Sequence, residues 1–194
     1  MPAVNKQSPI PVSVNGQATV KTGSLLSLAT DAKNLTDTKV KLILYGQNRV
    51  GKSTVACQFP KPLVFLSFEP NKTGGAASIT KIPGVKVLLV KYKKERDDPP
   101  YTIYGTAAAK KVALELKEDN YFQSVVIDSA TSYQDLYLQE ILKVDQLPEQ
   151  MSFGGVSGDQ YRERSEKIKE GLRPFLALNK HVIITAKEKD HNPP

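Results

Sequence analysis

Short apolar runs, each closed by a turn signal, recur along the chain from Val40 onward. The pattern predicts five β-strands, which are Val40–Tyr45, Leu63–Phe68, Val85–Val90, Phe122–Ile127 and His181–Thr185. Helical periodicity separates them, in Lys52–Gln58, Thr106–Lys117, a segment through Leu136 and Leu142, and a charged segment from about Asp159. Buried strands that alternate with helices are typical of a parallel sheet covered on both faces. The pattern therefore predicts an α/β fold with a doubly wound, mostly parallel sheet.

Three features depart from this alternation. Residues 1–38 are rich in Ser, Thr, Asn, Gly and Pro and show no sustained period, so we expect a flexible N-terminal extension there and one folded domain over residues 39–194. Pro174, which has no amide hydrogen, is expected to kink or divide the last helix. Because domains of this type usually continue with another strand, we also expect the domain to be minimal or truncated at its C-terminus.

Composition and charge narrow the class of protein. Hydrophobic residues make up 40% of the chain and charged residues 24%, as in soluble globular proteins. The chain has no apolar run long enough to span a bilayer and no signal-peptide pattern, so we expect a cytoplasmic protein without membrane association. The single cysteine, Cys57, cannot form an internal disulfide and is expected to pack inside the protein. The net charge of +7 suits an anionic partner such as nucleic acid, and equally a solvated basic surface.

The segment between the first strand and the first helix carries the clearest chemistry. It reads Gly46-Gln47-Asn48-Arg49-Val50-Gly51-Lys52-Ser53 and is followed by Thr54. This spacing is that of a P-loop, in which backbone amides and the helix N-terminus surround phosphate oxygens. Lys52 would reach the β- and γ-phosphates, Ser53 would bind Mg²⁺, and Thr54 would lie near the α-phosphate. Since the spacing occurs by chance in roughly one chain in a hundred, the sequence predicts a bound nucleoside triphosphate with Mg²⁺.

Two carboxylates stand where other predicted strands end. Asp128 follows Val125-Val126-Ile127, where it could hold Mg²⁺ through water or cap the next helix, and the two roles can coexist. Ser129 is a second candidate for that cap. Glu69 ends the strand after the P-loop helix, where it could orient or deprotonate a water that attacks the γ-phosphate. An ordinary solvent-facing glutamate at a strand end explains the position of Glu69 equally well.

These parts together resemble the RecA-like branch of P-loop ATPases. In that branch a glutamate ends the strand after the P-loop helix, and a further strand, here Val85–Val90, precedes the strand with the magnesium aspartate. The chain is most similar to short phage-type RecA-like nucleotide-binding proteins, some of which act in single-strand annealing and recombination, at Gln58–Pro62 and His181–Ala186. The resemblance covers residues 40–190. It implies that ATP is the nucleotide, that Mg²⁺ is its metal ion, and that Lys52 and Glu69 are catalytic.

The resemblance also implies a partner, single-stranded DNA. RecA-like proteins present two loops to DNA, which correspond here to residues 146–157 and to the segment from Lys187 onward. Phe153 in the first loop could stack on a base or simply anchor the loop to the core, and Lys187 and Lys189 could meet phosphates. Many RecA-like proteins also end the last core strand with a polar sensor of the γ-phosphate, such as glutamine. Lys187 could take that role as a cation.

Three functions are consistent with these residues. The first is an ATP-hydrolysing RecA-like protein that acts on single-stranded DNA in recombination, annealing or replication, in the cytoplasm of a host cell if the chain comes from a phage. The resemblance implies that it works as a homo-oligomer with a cation supplied by the neighbouring subunit, for which Arg162, Arg164 and Lys187 are candidates. The second is a nucleotide-binding interaction module that does not hydrolyse ATP. The third, a small-molecule kinase, is less favoured because no compact segment resembles an arginine-bearing lid.

Overall fold

Six strands form one sheet in the part of the chain that our computed structural model describes, residues 39–69, 79, 81–145, 147 and 158–188. The strands are β1 (Lys41–Gly46), β2 (Leu63–Ser67), β3 (Val85–Lys91), β4 (Thr102–Tyr104), β5 (Ser124–Asp128) and β6 (His181–Lys187). The described helices are α1 (Lys52–Ala56), α2 (Gly105–Glu118), α3 (Ala130–Leu142) and α4 (Gly158–Leu176). None of these four helices is long and apolar enough to cross a membrane.

The order of the strands determines which residues meet. It is β1-β6-β5-β2-β3-β4, and every neighbouring pair is parallel. Strand β6 lies between β1 and β5, with Ile184 beside Ile43 on one side and beside Ile127 on the other. Because all the strands run in one direction, their carboxyl ends meet at the same edge of the sheet. Gly46, Asp128 and Lys187 each end a strand at this edge, which we call the carboxyl edge.

Helices cover both faces of the sheet, as a doubly wound fold requires. On the face that α1 covers, Cys57 and Phe65 of β2 belong to one apolar cluster, and both are fully buried. On the opposite face, Ile127 packs with Tyr133 of α3 and with Phe175 of α4. The predicted α/β class is therefore confirmed. Cys57 packs inside the protein as predicted, and burial raises the pKa of its thiol to about 11.

Two details of the fold differ from the sequence-based expectations. The five predicted strands are all present, but β4 was not predicted, because three residues that follow Pro99 and Pro100 are too few to show a period. Of the two expected effects of Pro174, division of the last helix is wrong, since α4 continues to Leu176, and a kink stays a prediction. Pro174 lies in the last turn, so its missing amide removes one hydrogen bond, to the carbonyl of residue 170, close to the end of the helix. The proposed extension over residues 1–38 lies outside the described residues and stays a prediction.

Gly171 makes close contact between α4 and α3 possible. A Cβ atom at this position would lie 2.3 Å from the Tyr137 Oη atom and 2.7 Å from the Tyr133 Oη atom. Both tyrosines are buried, and their hydroxyl oxygens are 3.3 Å apart. The Tyr133 ring stacks on Phe68 with 4.2 Å between the ring centroids. The contact between α4 and α3 therefore lies next to Phe68, the residue that follows β2 and precedes Glu69.

Replacing Gly171 by alanine should destabilise the protein. The added methyl group forces the two tyrosine hydroxyls apart, and overpacking of this kind costs about 1–3 kcal/mol. In a chain of this length each kcal/mol lowers the melting temperature by about 2–4 °C, which thermal unfolding would detect. Gly158→Ala is the matched control, because the same change in the same helix meets no atom within 4 Å. Equal melting temperatures for the two variants would contradict this interpretation, as would no recovery in Gly171→Ala/Tyr137→Phe.

Candidate nucleotide-binding site

The predicted P-loop connects the carboxyl end of β1 to the first turn of α1. Gly51 has a φ of 88°, in the left-handed region, immediately before the helix begins at Lys52. Residues with a Cβ atom rarely adopt this conformation, so glycine is required here by the backbone rather than by space. The Lys52 Nζ atom donates to the carbonyl oxygens of Gly46 at 2.8 Å and of Gln47 at 2.5 Å. These two bonds hold the ammonium against the start of its own loop.

Asp128 at the end of β5 is joined to the P-loop by a hydrogen bond. Ser53 Oγ donates to Asp128 Oδ2 at 3.1 Å, and Thr185 Oγ1 of β6 donates to Asp128 Oδ1. The Asp128 residue is only 4% exposed. Burial raises the pKa of the Asp128 carboxyl above its usual value; the nearby Glu69 carboxylate adds to this rise, whereas the two hydroxyl donors and Lys187 oppose it. The surroundings of Asp128 therefore compensate only in part for the negative charge of its carboxylate.

The cap of α3 is provided by Ser129 and not by the Asp128 side chain. The Ser132 amide donates to Ser129 Oγ at 3.2 Å, which confirms the predicted serine cap. The Asp128 carboxylate therefore points toward Ser53 and Thr185 while its neighbour satisfies the helix N-terminus. This division of roles leaves Asp128 available to the P-loop.

Glu69 and Lys187 form an ion pair at the carboxyl edge. The Lys187 Nζ atom lies 2.7 Å from Glu69 Oε1, and the two side chains are 31% and 17% exposed. The backbone fixes both ends of this pair, since the Phe68 amide donates to the Asp128 carbonyl and the Lys187 amide donates to Thr131 Oγ1. The structure therefore brings a carboxylate and an ammonium beside Asp128, on the same edge as the P-loop.

The donor set at this edge suits Mg²⁺ bound together with phosphates. Mg²⁺ prefers oxygen ligands and usually combines one or two carboxylates with substrate phosphates and water. Ser53 and Asp128 provide such oxygens, and the buried Ser67 hydroxyl, in register with Asp128 on β2, has no hydrogen-bond partner among the described residues. Within that part of the chain no group of three or more His, Cys, Asp or Glu side chains could hold a metal ion by itself. The residues present therefore fit a magnesium ion that arrives with a nucleotide.

Other predicted site residues are placed less centrally or lie outside the described ranges. Thr54 lies in α1, next to Ser53, and its side chain is exposed. Arg162 lies on the surface of α4, with its side chain 82% exposed, and its Nε atom is 3.5 Å from Glu166. Phe153 and Lys189 lie outside the described residues, so their roles stay predictions.

Sequence reasoning missed Thr185 and Ser67. Both are polar residues inside otherwise apolar strands, at positions that face α1 together with Asp128. A hydroxyl residue in a predicted buried strand is a signal that could have drawn attention to them, because buried hydroxyls need hydrogen-bond partners. The signal is weak without the strand order, since only the order shows which strands flank β5.

The fold and the P-loop geometry together define an α/β P-loop NTPase. The protein family described as an AAA domain matches residues 38–192 of the chain. The match extends over more than half of the chain, which therefore belongs to this family of AAA-type P-loop ATPases. A search of curated proteins found no match.

Asp128→Asn should stabilise the protein at neutral pH in the absence of nucleotide and Mg²⁺. Because the folded-state pKa of Asp128 is raised, its contribution to stability is present below the unfolded-state pKa and is lost as the pH rises through the folded-state pKa. Removal of the charge should therefore raise the melting temperature at about pH 7–8, with a difference that shrinks toward about pH 4. Thermal unfolding in EDTA across this range measures the effect.

Asp145→Asn is the control for Asp128→Asn, because Asp145 is an exposed carboxylate whose side chain is 69% accessible. Its melting temperature should follow that of the wild type at every pH. A lower melting temperature for Asp128→Asn than for the wild type at neutral pH would show that the hydrogen bonds outweigh the cost of burial.

Proposed function

We propose that the protein is a RecA-like ATPase that hydrolyses ATP with Mg²⁺ and acts on single-stranded DNA in recombination, annealing or replication. The observation that carries the proposal is the hydrogen bond between Ser53 and Asp128, which joins the P-loop to the end of a buried strand. In P-loop NTPases a serine or threonine of the loop and an aspartate at such a strand end hold the magnesium ion of the nucleotide. The match to an AAA domain supports the ATPase part of the proposal.

The position of Glu69 supports the RecA-like part. Strand β2 pairs directly with β5, and Ser67 is in register with Asp128, so Glu69, two residues beyond Ser67 and on the same face, lies beside the magnesium aspartate. This is where a glutamate would have to lie in order to act on a water next to the γ-phosphate. In this role Glu69 orients the water and accepts its proton. Lys187 holds the Glu69 carboxylate at 2.7 Å and brings a positive charge to the place proposed for a γ-phosphate sensor.

The remaining residues bind and orient the nucleotide. The backbone amides of Gly46–Ser53 and the Lys52 ammonium neutralise phosphate charge. Ser53 and Asp128 would hold Mg²⁺, which when bound supplies further charge stabilisation at the phosphates. Lys52 is at present bonded to two loop carbonyls, so in this mechanism its ammonium exchanges these acceptors for phosphate oxygens. The resemblance to RecA-like proteins further supports a homo-oligomer, with the exposed Arg162 as one candidate for a cation supplied to a neighbouring subunit.

ATP hydrolysis should depend on Lys52 and Glu69 in different ways. Lys52→Ala should weaken ATP binding at least about tenfold, because the main side-chain cation of the loop is lost. Glu69→Gln should leave binding nearly intact and lower the hydrolysis rate by about a hundredfold or more, which is the usual effect of removing a general base. Binding of a fluorescent ATP analogue and release of phosphate measure the two effects separately.

The control for Glu69→Gln is Glu118→Gln, the same change at an exposed residue at the end of α2. It should match the wild type in both assays. Hydrolysis that survives in Glu69→Gln would remove the catalytic role of Glu69. ATP binding without hydrolysis in the wild type would instead favour the alternative function, a non-hydrolytic nucleotide-binding module.

Single-stranded DNA should bind the protein and increase its rate of ATP hydrolysis. The net charge of +7 supports this part of the proposal, together with residues 146–157 and the segment from Lys187 onward, which correspond in position to the DNA-facing loops of RecA-like proteins. Phe153→Ala should weaken binding by about 1–3 kcal/mol if the ring stacks on a base. Lys189→Ala should reduce the slope of log affinity against log salt by about 0.7 if the ammonium meets a phosphate.

Fluorescence anisotropy with a labelled oligonucleotide, measured at several salt concentrations, tests the DNA-binding prediction. Lys111→Ala is the control, because Lys111 is an exposed lysine of α2 with its side chain 78% accessible. If single-stranded DNA neither binds the protein nor stimulates hydrolysis, the DNA part of the proposal is removed and the ATPase part stays intact.

A further inference from the structure

Asp128 receives one hydroxyl donor on each of its carboxylate oxygens. Ser53 donates to Oδ2 from the P-loop side, and Thr185 donates to Oδ1 from strand β6. The two donors differ in how they are held. Ser53 belongs to the five-residue helix α1, immediately after the loop that takes the phosphates, whereas Thr185 lies inside the sheet.

The surroundings of Thr185 make it the more rigid of the two donors. Thr185 is fully buried and in register with Leu44 of β1, and on its other side it lies one position beyond the pair formed by Ile184 and Ile127. It is thus held between two strands at the level of Asp128. Its side chain is branched at Cβ, which restricts rotation about χ1.

We infer that Thr185 is a positioning residue for the magnesium site, because its hydroxyl fixes one oxygen of Asp128 so that the other oxygen faces Ser53 and the metal ion. The inference rests on the proposed function, since it concerns the Mg²⁺ that would arrive with ATP. Thr185 itself does not touch the metal ion in this role. It determines the orientation of the carboxylate that does so, directly or through water.

The need for such a residue follows from the two partners of Ser53. The hydroxyl that donates to Asp128 would also be the one that binds Mg²⁺, so Ser53 alone would not hold the carboxylate in place. Thr185 contacts the other oxygen of Asp128 from within the sheet, so it supplies a constant reference for the carboxylate. Without this hydroxyl, Asp128 would be a buried carboxylate with a single donor, free to turn away from the metal position.

Thr185→Val removes the hydroxyl and retains the branched shape of the side chain. The experiment measures the affinity for a fluorescent, non-hydrolysable ATP analogue twice for each variant, once with excess Mg²⁺ and once with EDTA. We expect that the gain in affinity from Mg²⁺ falls about tenfold in Thr185→Val, which corresponds to about 1.4 kcal/mol. The affinity in EDTA should equal that of the wild type, because the phosphate contacts of the P-loop are unchanged.

Two further variants separate positioning from general damage to the fold. Thr185→Ser keeps the hydroxyl and should restore the gain from Mg²⁺ to within about twofold of the wild type. Thr102→Val makes the same change in β4, the last strand of the sheet order, where the Thr102 hydroxyl has no hydrogen-bond partner among the described residues, so its response to Mg²⁺ should be normal. Thermal unfolding of each variant in EDTA confirms that the binding curves refer to folded protein.

The outcomes are distinct for the inference and for the proposed function. If Mg²⁺ increases the affinity of Thr185→Val for the ATP analogue as much as it does in the wild type, the role of Thr185 is overturned and the ATPase proposal stays intact. Equal losses in Mg²⁺ and in EDTA, or no rescue in Thr185→Ser, would also overturn it, because the residue would then serve the fold alone. Failure of the wild-type protein to bind the ATP analogue under either condition would overturn the proposed function and this inference together.

Discussion

The carboxylate of Asp128, buried in a parallel sheet, is the constraint on which the rest of the site depends. A buried charge is costly unless hydrogen bonds and opposite charges compensate for it. Here the compensation comes from the hydroxyls of Ser53 and Thr185 and from the Lys187 ammonium, and the raised pKa of Asp128 shows that it is incomplete. Additional positive charge at the carboxyl edge would therefore stabilise the site. A magnesium ion that arrives with phosphates would supply this charge, so the buried carboxylate that weakens the fold also favours binding of the ligand.

Strand β6 provides both Thr185 and Lys187 because of its place in the sheet. It pairs with β1, which leads into the P-loop, and with β5, which ends at Asp128. Side chains two residues apart on a strand point to the same face, so Thr185 and Lys187 both lie on the side of α1. Thr185 reaches Asp128, and Lys187 reaches Glu69. One strand therefore contacts both carboxylates, although neither carboxylate belongs to it.

The sequence predicted those parts that depend on local patterns. Five strands, the α/β class and the P-loop all follow from short apolar runs and from a motif of eight residues, because parallel strands buried on both faces are apolar throughout. The Ser129 cap was also predictable, since a serine before a helical pattern is a local signal. By contrast, the Thr185–Asp128 and Lys187–Glu69 contacts depend on the order of the strands. Nothing near Thr185 in the sequence indicates that β6 inserts between β1 and β5, and β4 was too short to show a period.

The reactivity of Cys57, the only cysteine of the chain, provides a measure of local opening of the fold. Cys57 lies directly after α1, has no exposed surface, and has a thiol that burial keeps protonated at neutral pH. Thiol reagents attack the thiolate, so the folded protein should be nearly inert to them. The rate of labelling therefore measures how often the segment after the P-loop separates from the sheet. Any ligand that binds both the P-loop and the carboxyl edge would slow the labelling of Cys57. The labelling rate would therefore detect the binding of an unlabelled ligand.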